Sequence, residues 1–189
     1  MKPDTPICYR SLYPAVTHDI WQRAQQIKLL ICDVDGVFSD GRIYLGNDGE
    51  ELKAFHTRDG FGIKALLSQN IEVAIITGRQ SKIVAQRMQH LGIEYIYQGC
   101  ENKIQPYQSL LQDLELKAHE IAYIGDDLVD LDVMRHCGLA VTVQDGHPLV
   151  QREAHWTTQA RGGFGAVREL CDILLISKNK LTCAQGQSI

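Results

Sequence analysis

The sequence lacks several features, and each absence removes a class of protein. It has no apolar run long enough to span a bilayer; stretches such as Val73-Ala74-Ile75-Ile76 are only strand-length. Its opening residues include Asp4, Tyr9 and His18, where a secretory leader would be continuously apolar, so no leader is expected. It has no basic excess: 19 Lys and Arg against 23 Asp and Glu leave a net charge of −4. That balance argues against nucleic acid or an anionic membrane as the main partner, since both need concentrated positive charge. Six cysteines are present, but none forms a C-x-x-C pair and no Cys/His cluster has zinc-finger spacing. Reduced thiols in a cytoplasmic protein are therefore expected, with Cys32 packing as a small core residue. Repeats, low-complexity tracts and a second-domain linker are also missing.

What is present is a rhythm. Ile27–Cys32, Ile71–Ile76, Ile93–Tyr97, Ile121–Ile124 and Leu139–Val143 are strand-length runs rich in Ile, Val, Leu and Tyr. Between them, 61–69, 81–91, 104–116 and 128–137 have helical spacing, and Gly92 and Gly138 sit where helix C-caps would. Near-continuous apolar strands alternating with helices predict an α/β fold: a doubly wound, Rossmann-like parallel sheet covered on both faces. One segment breaks the pattern. Arg42–Leu45 and Leu52–Phe55 flank the turn-rich Gly46-Asn47-Asp48-Gly49, which predicts a β-hairpin. Such a hairpin is marginal alone and would expose Ile43, Tyr44, Leu45, Leu52 and Phe55, so it is expected to pack on something. The expected organisation is a lead-in over 1–26 with a short helix near His18–Gln26, an α/β domain over 27–176 carrying the hairpin at about 41–56, and a flexible tail over 177–189.

In open α/β sheets, ligands bind beyond the carboxyl ends of the strands. Asp33 and Asp35 follow the first predicted strand, Thr77-Gly78-Arg79 the second, Lys103 lies beyond the third, and Asp126, Asp127 and Asp130 follow the fourth. Five carboxylates in one crevice repel; a like-charge pair at about 4 Å costs roughly 4 kcal/mol at an effective dielectric of 20. Protonation or a bound cation relieves this, and hard oxygen ligands suit Mg²⁺, which seeks phosphate oxygens. The Thr77 hydroxyl and the Lys103 charge fit a phosphoryl group. Singly, each residue has a plain structural alternative. Asp35-Gly36 could be a turn, Lys103 a solvated lysine, Asp126 or Asp127 a cap for a helix starting near Leu128, and Asp130 first-turn decoration. Jointly, those alternatives must explain why every polar group falls at the same end of its strand.

These residues carry a resemblance. Asp33-Val34-Asp35-Gly36, Ile76-Thr77-Gly78-Arg79, Lys103 and Gly125-Asp126-Asp127-Leu128-Val129-Asp130 resemble the four ordered motifs of the haloacid dehalogenase superfamily. From Asp33 to about Leu175, the chain resembles the capless family that dephosphorylates 3-deoxy-D-manno-octulosonate (KDO) 8-phosphate. The supporting segments are 33–41, 49–55, 58–64, 162–169 and the terminal Gly186-Gln187-Ser188-Ile189; His56-Thr57 depart from an Asn-Val-like pair.

The resemblance implies a magnesium-dependent phosphatase on a capless fold, in which Asp33 attacks phosphorus and Asp35 serves as acid and then base. It implies Mg²⁺ held by Asp33, the Asp35 carbonyl and Asp126, with Asp127 and Asp130 orienting water or Lys103. Thr77, the Gly78 amide and Lys103 would hold the phosphoryl oxygens. Arg58, Gly60 and Arg79, with Arg161 and Arg168 behind them, would meet the rest of a phosphorylated sugar acid. It also implies a homotetramer whose hairpins and tails reach neighbouring sites, and a place in lipopolysaccharide precursor synthesis. A phosphatase for another sugar acid, such as a nonulosonate 9-phosphate, shares this chemistry. A signalling receiver domain fits less well, because Thr77 rather than an Asp follows the middle strand. An idle oligomerisation module would not need Asp33, Asp35, Thr77, Lys103 and Asp126 all intact.

Overall fold

The computed structural model describes residues 9–183. Six parallel strands form one sheet: β1 (Leu29–Cys32), β4 (Glu72–Ile76), β5 (Tyr95–Tyr97), β6 (Ile121–Gly125), β7 (Leu139–Thr142) and β8 (Trp156–Thr157), in the spatial order β5-β4-β1-β6-β7-β8. The chain builds outward from β1 through β4 to β5, then returns and builds the other way from β6. That reversal leaves a crevice at the carboxyl ends of β1 and β6. The register aligns those ends, with Cys32 beside both Ile75 and Ile124. The amide of Asp33 donates to the Ile124 carbonyl at 3.0 Å, so the first residue past β1 is still tied to β6.

Burial on both faces explains the continuous apolar strands. Along β1, Leu30 and Cys32 face one apolar cluster and Leu29 and Ile31 the other, following the two-residue period of a strand. The first cluster packs under α1 (His18–Gln26), α2 (Thr57–Leu67), α3 (Lys82–His90) and α7 (Ala166–Ser177). The second packs under α4 (Ile104–Asp113), α5 (Leu131–Met134) and α6 (Pro148–Glu153). Thr17 and Ser81 cap α1 and α3 with their side-chain oxygens. Helix α7 is buried along nearly its whole length and packs against α1 and α2. Among the described residues, Cys32, Cys100, Cys137 and Cys171 are free thiols, and Cys32 is fully buried in the core as expected. No helix of the described residues is long and apolar enough to cross a membrane.

Some expectations need correction. The helix expected over 128–137 is a 3-10 turn, Leu128–Asp130, followed by the single-turn α5. Gly138 is no C-cap, because a Cβ there would collide with the His119 backbone; steric space, not a left-handed conformation, calls for glycine. Helix α6 and strand β8 were not anticipated; β8 is two residues long, too short to show a period. The tail, expected to be flexible from Ser177, makes contacts with the body of the fold as far as Leu181. Ser177 is buried, Lys180 N donates to Leu175 O at 2.8 Å, and Leu181 packs on the core. The Gly186–Ile189 resemblance lies outside the described residues.

The hairpin forms from β2 (Tyr44–Leu45) and β3 (Glu51–Leu52), Tyr44 facing Leu52. Ile43, Tyr44, Leu45 and Leu52 are exposed, Leu45 at 73% and Leu52 at 63%, whereas Phe55 packs against the core. Leu170→Ala, at a fully buried position of α7, should cost about 2–5 kcal/mol in urea unfolding; a loss below about 1 kcal/mol would mean that α7 is not part of the cooperative core.

Candidate active site

Residues from four strand ends meet in one cavity of about 290 Å³, lined by Asp33, Asp35, Thr77, Gly78, Arg79, Lys103, Asp126, Asp127 and Val129. The groups expected at the strand ends therefore do converge. Asp33 is 6% exposed, Thr77 3% and Lys103 4%, so a phosphoryl group entering here would exchange water for fixed protein groups. Thr77 is set by its own backbone: its amide donates to Tyr97 O at 3.0 Å and its carbonyl accepts from Cys100 N at 3.1 Å. Lys103 sits just before α4 and reaches inward.

Asp130 organises the floor. Its Oδ1 accepts from Lys103 Nζ at 2.7 Å and from the Tyr123 hydroxyl at 2.6 Å. Its Oδ2 accepts from the amides of Asp126 and Asp127 at 3.0 and 3.1 Å. This fully buried carboxylate is therefore no surface decoration on a helix turn. Lys103 Nζ also lies 2.8 Å from Asp33 Oδ1, joining the two carboxylates through one ammonium. The Asp127 side chain accepts from Leu128 N at 2.7 Å and caps the 3-10 turn, the role that its position before Leu128 left open.

Asp35 faces the hairpin. Its Oδ1 contacts Lys53 Nζ and accepts from Ser39 Oγ at 3.3 Å; its Oδ2 lies 3.7 Å from Arg79 Nε. Glu51 accepts from Ser81 Oγ at 2.7 Å and from Arg79 at 3.3 Å, with Lys53 Nζ 3.7 Å away. Sequence reasoning missed Lys53, Glu51 and Ser81. The available signal was the alternation Glu51-Leu52-Lys53, which turns two charged side chains to one face of the strand and Leu52 to the other. The chain's own hairpin thus reaches its own site, where only a neighbour's hairpin was expected to close it.

Arg58 and Gly60 are not brought into this cavity. Arg58 lines a separate one with Tyr13, Phe164, Arg168 and Asp172, and Gly60 is buried in the first turn of α2. Arg161 pairs with Asp145 at 3.0 Å, and Arg168 pairs with Asp172 at 2.7 Å while lying 4.8 Å over the Phe61 ring. Gly162 approaches the Gly36 backbone so closely that a Cβ would collide with the Gly36 carbonyl.

Charge shapes the cleft. Burial pushes the Asp33 carboxyl up to about 6 despite the pull of Lys103. Asp126 is pushed up to about 8, first by burial and then by the charges of Asp33, Asp130 and Asp127. Burial alone would lower the Lys103 ammonium, but Asp33 and Asp130 outweigh it and hold it above the ordinary lysine value. One ammonium does not balance these acids. Oxygens of Asp33, Asp126 and Asp130 lie within 4.8 Å of one another, an acidic set that suits a hard divalent cation. With all four Asp130 lone-pair positions taken by hydrogen bonds, Asp33 and Asp126 are the carboxylates free to hold it.

Comparison with known proteins accords with this site. Residues 50–143 match the family model described as haloacid dehalogenase-like hydrolase. A curated relative from Yersinia pestis, 3-deoxy-D-manno-octulosonate 8-phosphate phosphatase KdsC, is 53% identical over 94% of this chain and 95% of its own. The 1.95 Å crystal structure of the Y. pestis phosphatase superimposes with a TM-score of 0.91 over 92% of this chain and 94% of that one, at 53% identity. The Moraxella catarrhalis phosphatase, crystallised with a magnesium ion, a phosphate ion and KDO, superimposes with a TM-score of 0.87 at 40% identity, covering 89% of this chain and 97% of that one. The chain belongs to the haloacid dehalogenase superfamily of hydrolases, within the family of the 3-deoxy-D-manno-octulosonate 8-phosphate phosphatases.

Proposed function

We propose that the protein hydrolyses KDO 8-phosphate to KDO and inorganic phosphate through an aspartyl-phosphate on Asp33, with Mg²⁺ as cofactor, in the cytoplasm and on the route to lipopolysaccharide precursors. The observation that carries the reading is the single cavity in which Asp33, Asp35, Thr77, Lys103 and Asp126 meet. Mg²⁺ fits the donor set: Asp33, Asp126 and the Asp35 carbonyl would hold it, and when bound it offsets the charge of the phosphate and the carboxylates. A nonulosonate 9-phosphate remains the rival substrate.

The remaining chemistry is that of the chain's own groups. Lys103 holds Asp33 Oδ1 and leaves Oδ2 for attack. Asp33 forms its bond to phosphorus in line as the bond to the sugar oxygen breaks. Asp35, turning from Lys53 to that oxygen, gives it a proton. Asp35 then takes a proton from the water that breaks the Asp33–phosphorus bond and releases phosphate. Thr77 and the Gly78 amide donate to the phosphoryl oxygens, and Lys103 offsets their growing charge. Asp130 orients Lys103, and Asp127 holds the turn beside it. Arg79, within 3.7 Å of Asp35, would meet the substrate carboxylate. Arg58 and Gly60 would take part only across a subunit boundary, in a homotetramer that buries the exposed Ile43, Tyr44, Leu45 and Leu52 of each hairpin. The tail would complete the same boundary.

Asp33→Asn should reduce turnover of a generic aryl phosphate to below about a tenth of wild type; higher retention would sink the covalent route. On substrates, turnover of KDO 8-phosphate should exceed that of N-acetylneuraminate 9-phosphate, and the reverse order would reassign the sugar acid. A pH dependence follows from the raised carboxyls. Free Asp titrates near 3.9, so between about pH 4 and pH 8 the metal-free fold binds protons that the unfolded chain has lost. Its stability must then fall as pH rises through that window. In EDTA, Tm should decline from about pH 5.5 to about pH 8, and Mg²⁺ should flatten the decline by taking the protons' place. Equal slopes with and without Mg²⁺ would separate these carboxylates from the metal.

A further inference from the structure

The loop of residues 159–165, between β8 and α7, touches no part of the phosphate cavity, yet acidic side chains grip it along its length. Glu169, 8% exposed, accepts from the amides of Gln159 and Ala160 at 3.0 and 2.9 Å. Asp145, on the loop after β7, accepts from Gly162 N at 2.9 Å. Asp59, 1% exposed, accepts from Arg168 N at 2.8 Å, pinning the start of α7. Surface loops rarely tie up two carboxylates on their own amides, since water could satisfy those donors.

What the grip achieves is visible on the other side of the loop. Gly162 presses on the Gly36 carbonyl with no room for a Cβ, and Gly163 N donates to Val37 O at 2.9 Å. Gly36, at φ +93, is itself packed so closely on the Asp126 carboxylate that a Cβ would collide with it. The loop carrying Asp145 touches Asp126 as well: His147 N donates to the Asp126 carbonyl at 2.7 Å. The loop bearing Asp33 and Asp35 is thus wedged between Asp126 and Gly162, and Asp145 sets the outer side of the wedge.

We infer that Asp145 is a positioning residue for phosphoryl transfer: by holding Gly162 against Gly36 it fixes the placement of the Asp33–Asp35 loop relative to Asp126. Asp145 itself lines no part of the cavity and touches no reacting atom. Its other contact, the Arg161 ion pair, is largely exposed, with side-chain exposures of 63% and 37%, and such pairs contribute little. The bond that matters is the one to the Gly162 amide. The inference rests on the phosphatase reading above.

The test uses the full-length protein with p-nitrophenyl phosphate and Mg²⁺. Asp145→Ala and Asp145→Ser, whose hydroxyl is too short to reach Gly162, should each lower kcat by at least about tenfold while KM moves less than about twofold, because misplacement of reacting groups costs the transition state rather than binding. Tm should stay within about 3 °C of wild type. Asp145→Asn keeps a carbonyl oxygen for Gly162 N but loses the charge facing Arg161, and it should recover kcat to within about threefold of wild type. Wild-type kcat in the Ala and Ser variants would overturn the inference, as would a loss confined to KM or a collapse of the fold in both. An Asn variant as poor as Ala would assign the effect to the Arg161 ion pair and overturn it too. Failure of the phosphatase reading would show separately, as a wild-type protein that turns over neither this substrate nor KDO 8-phosphate.

Discussion

Lys103 is the single positive charge on which the centre of this molecule depends. It lies between Asp33 and Asp130 at 2.8 and 2.7 Å, all three nearly out of contact with water. Removing one partner of such a buried group leaves an uncompensated charge and typically costs about 3–5 kcal/mol. The arrangement holds because Asp130 is satisfied on every side, by Lys103, Tyr123 and two backbone amides. Those two amides belong to Asp126 and Asp127, so the same carboxylate that anchors the lysine also shapes the turn carrying the next acid. Asp33 and Asp126 remain the acids that Lys103 does not fully balance.

The sheet makes that network possible. Strands β1 and β6 are neighbours in space but far apart in the chain, and their order reversal opens the crevice that the acids share. Parallel pairing in register brings Asp33 against the end of β6 without any loop having to bend toward it. The repulsion among the acids is then held in place by a buried apolar core on both faces of β1. In the proposed reaction a divalent cation would answer the carboxylates while Thr77 and Lys103 would answer the phosphoryl oxygens.

The hairpin and the glycine-rich loop act on the cleft from opposite sides. From the hairpin, Lys53 and Glu51 reach Asp35, Arg79 and Ser81, while Leu45 and Leu52 are left facing outward. From the other side, Gly162 and Gly36 pack with no side chain between them. The segment that carries Asp33 and Asp35 is thus contacted both by the hairpin and by the glycine-rich loop. The exposed apolar residues of the hairpin leave a surface that further subunits could cover.

How much of this was legible before folding differs from residue to residue. The α/β class, five of the six sheet strands and the cluster Asp33, Asp35, Thr77, Gly78, Arg79, Lys103, Asp126 could be read along the chain, because apolar runs mark buried strands and polar residues at their ends mark the ligand face. Asp130 alone could be helix decoration, and the resemblance set it to orient Lys103; that it also takes Tyr123 and the amides of Asp126 and Asp127 became visible only in the packed structure. Strand β8 is too short for a period, and α6 went unread although His147-Pro148 is a helix-start cue. Lys53 reaches Asp35 only because the hairpin folds back across the cleft, and Arg58 leaves the cleft only because α2 points its first turn elsewhere. The sequence by itself determined which chemical groups stand at the strand ends, because hydrophobic period and strand direction are local properties. Tertiary structure alone decided which of those groups share a proton, a cation or a wall, because distances between segments remote in the chain are set by packing.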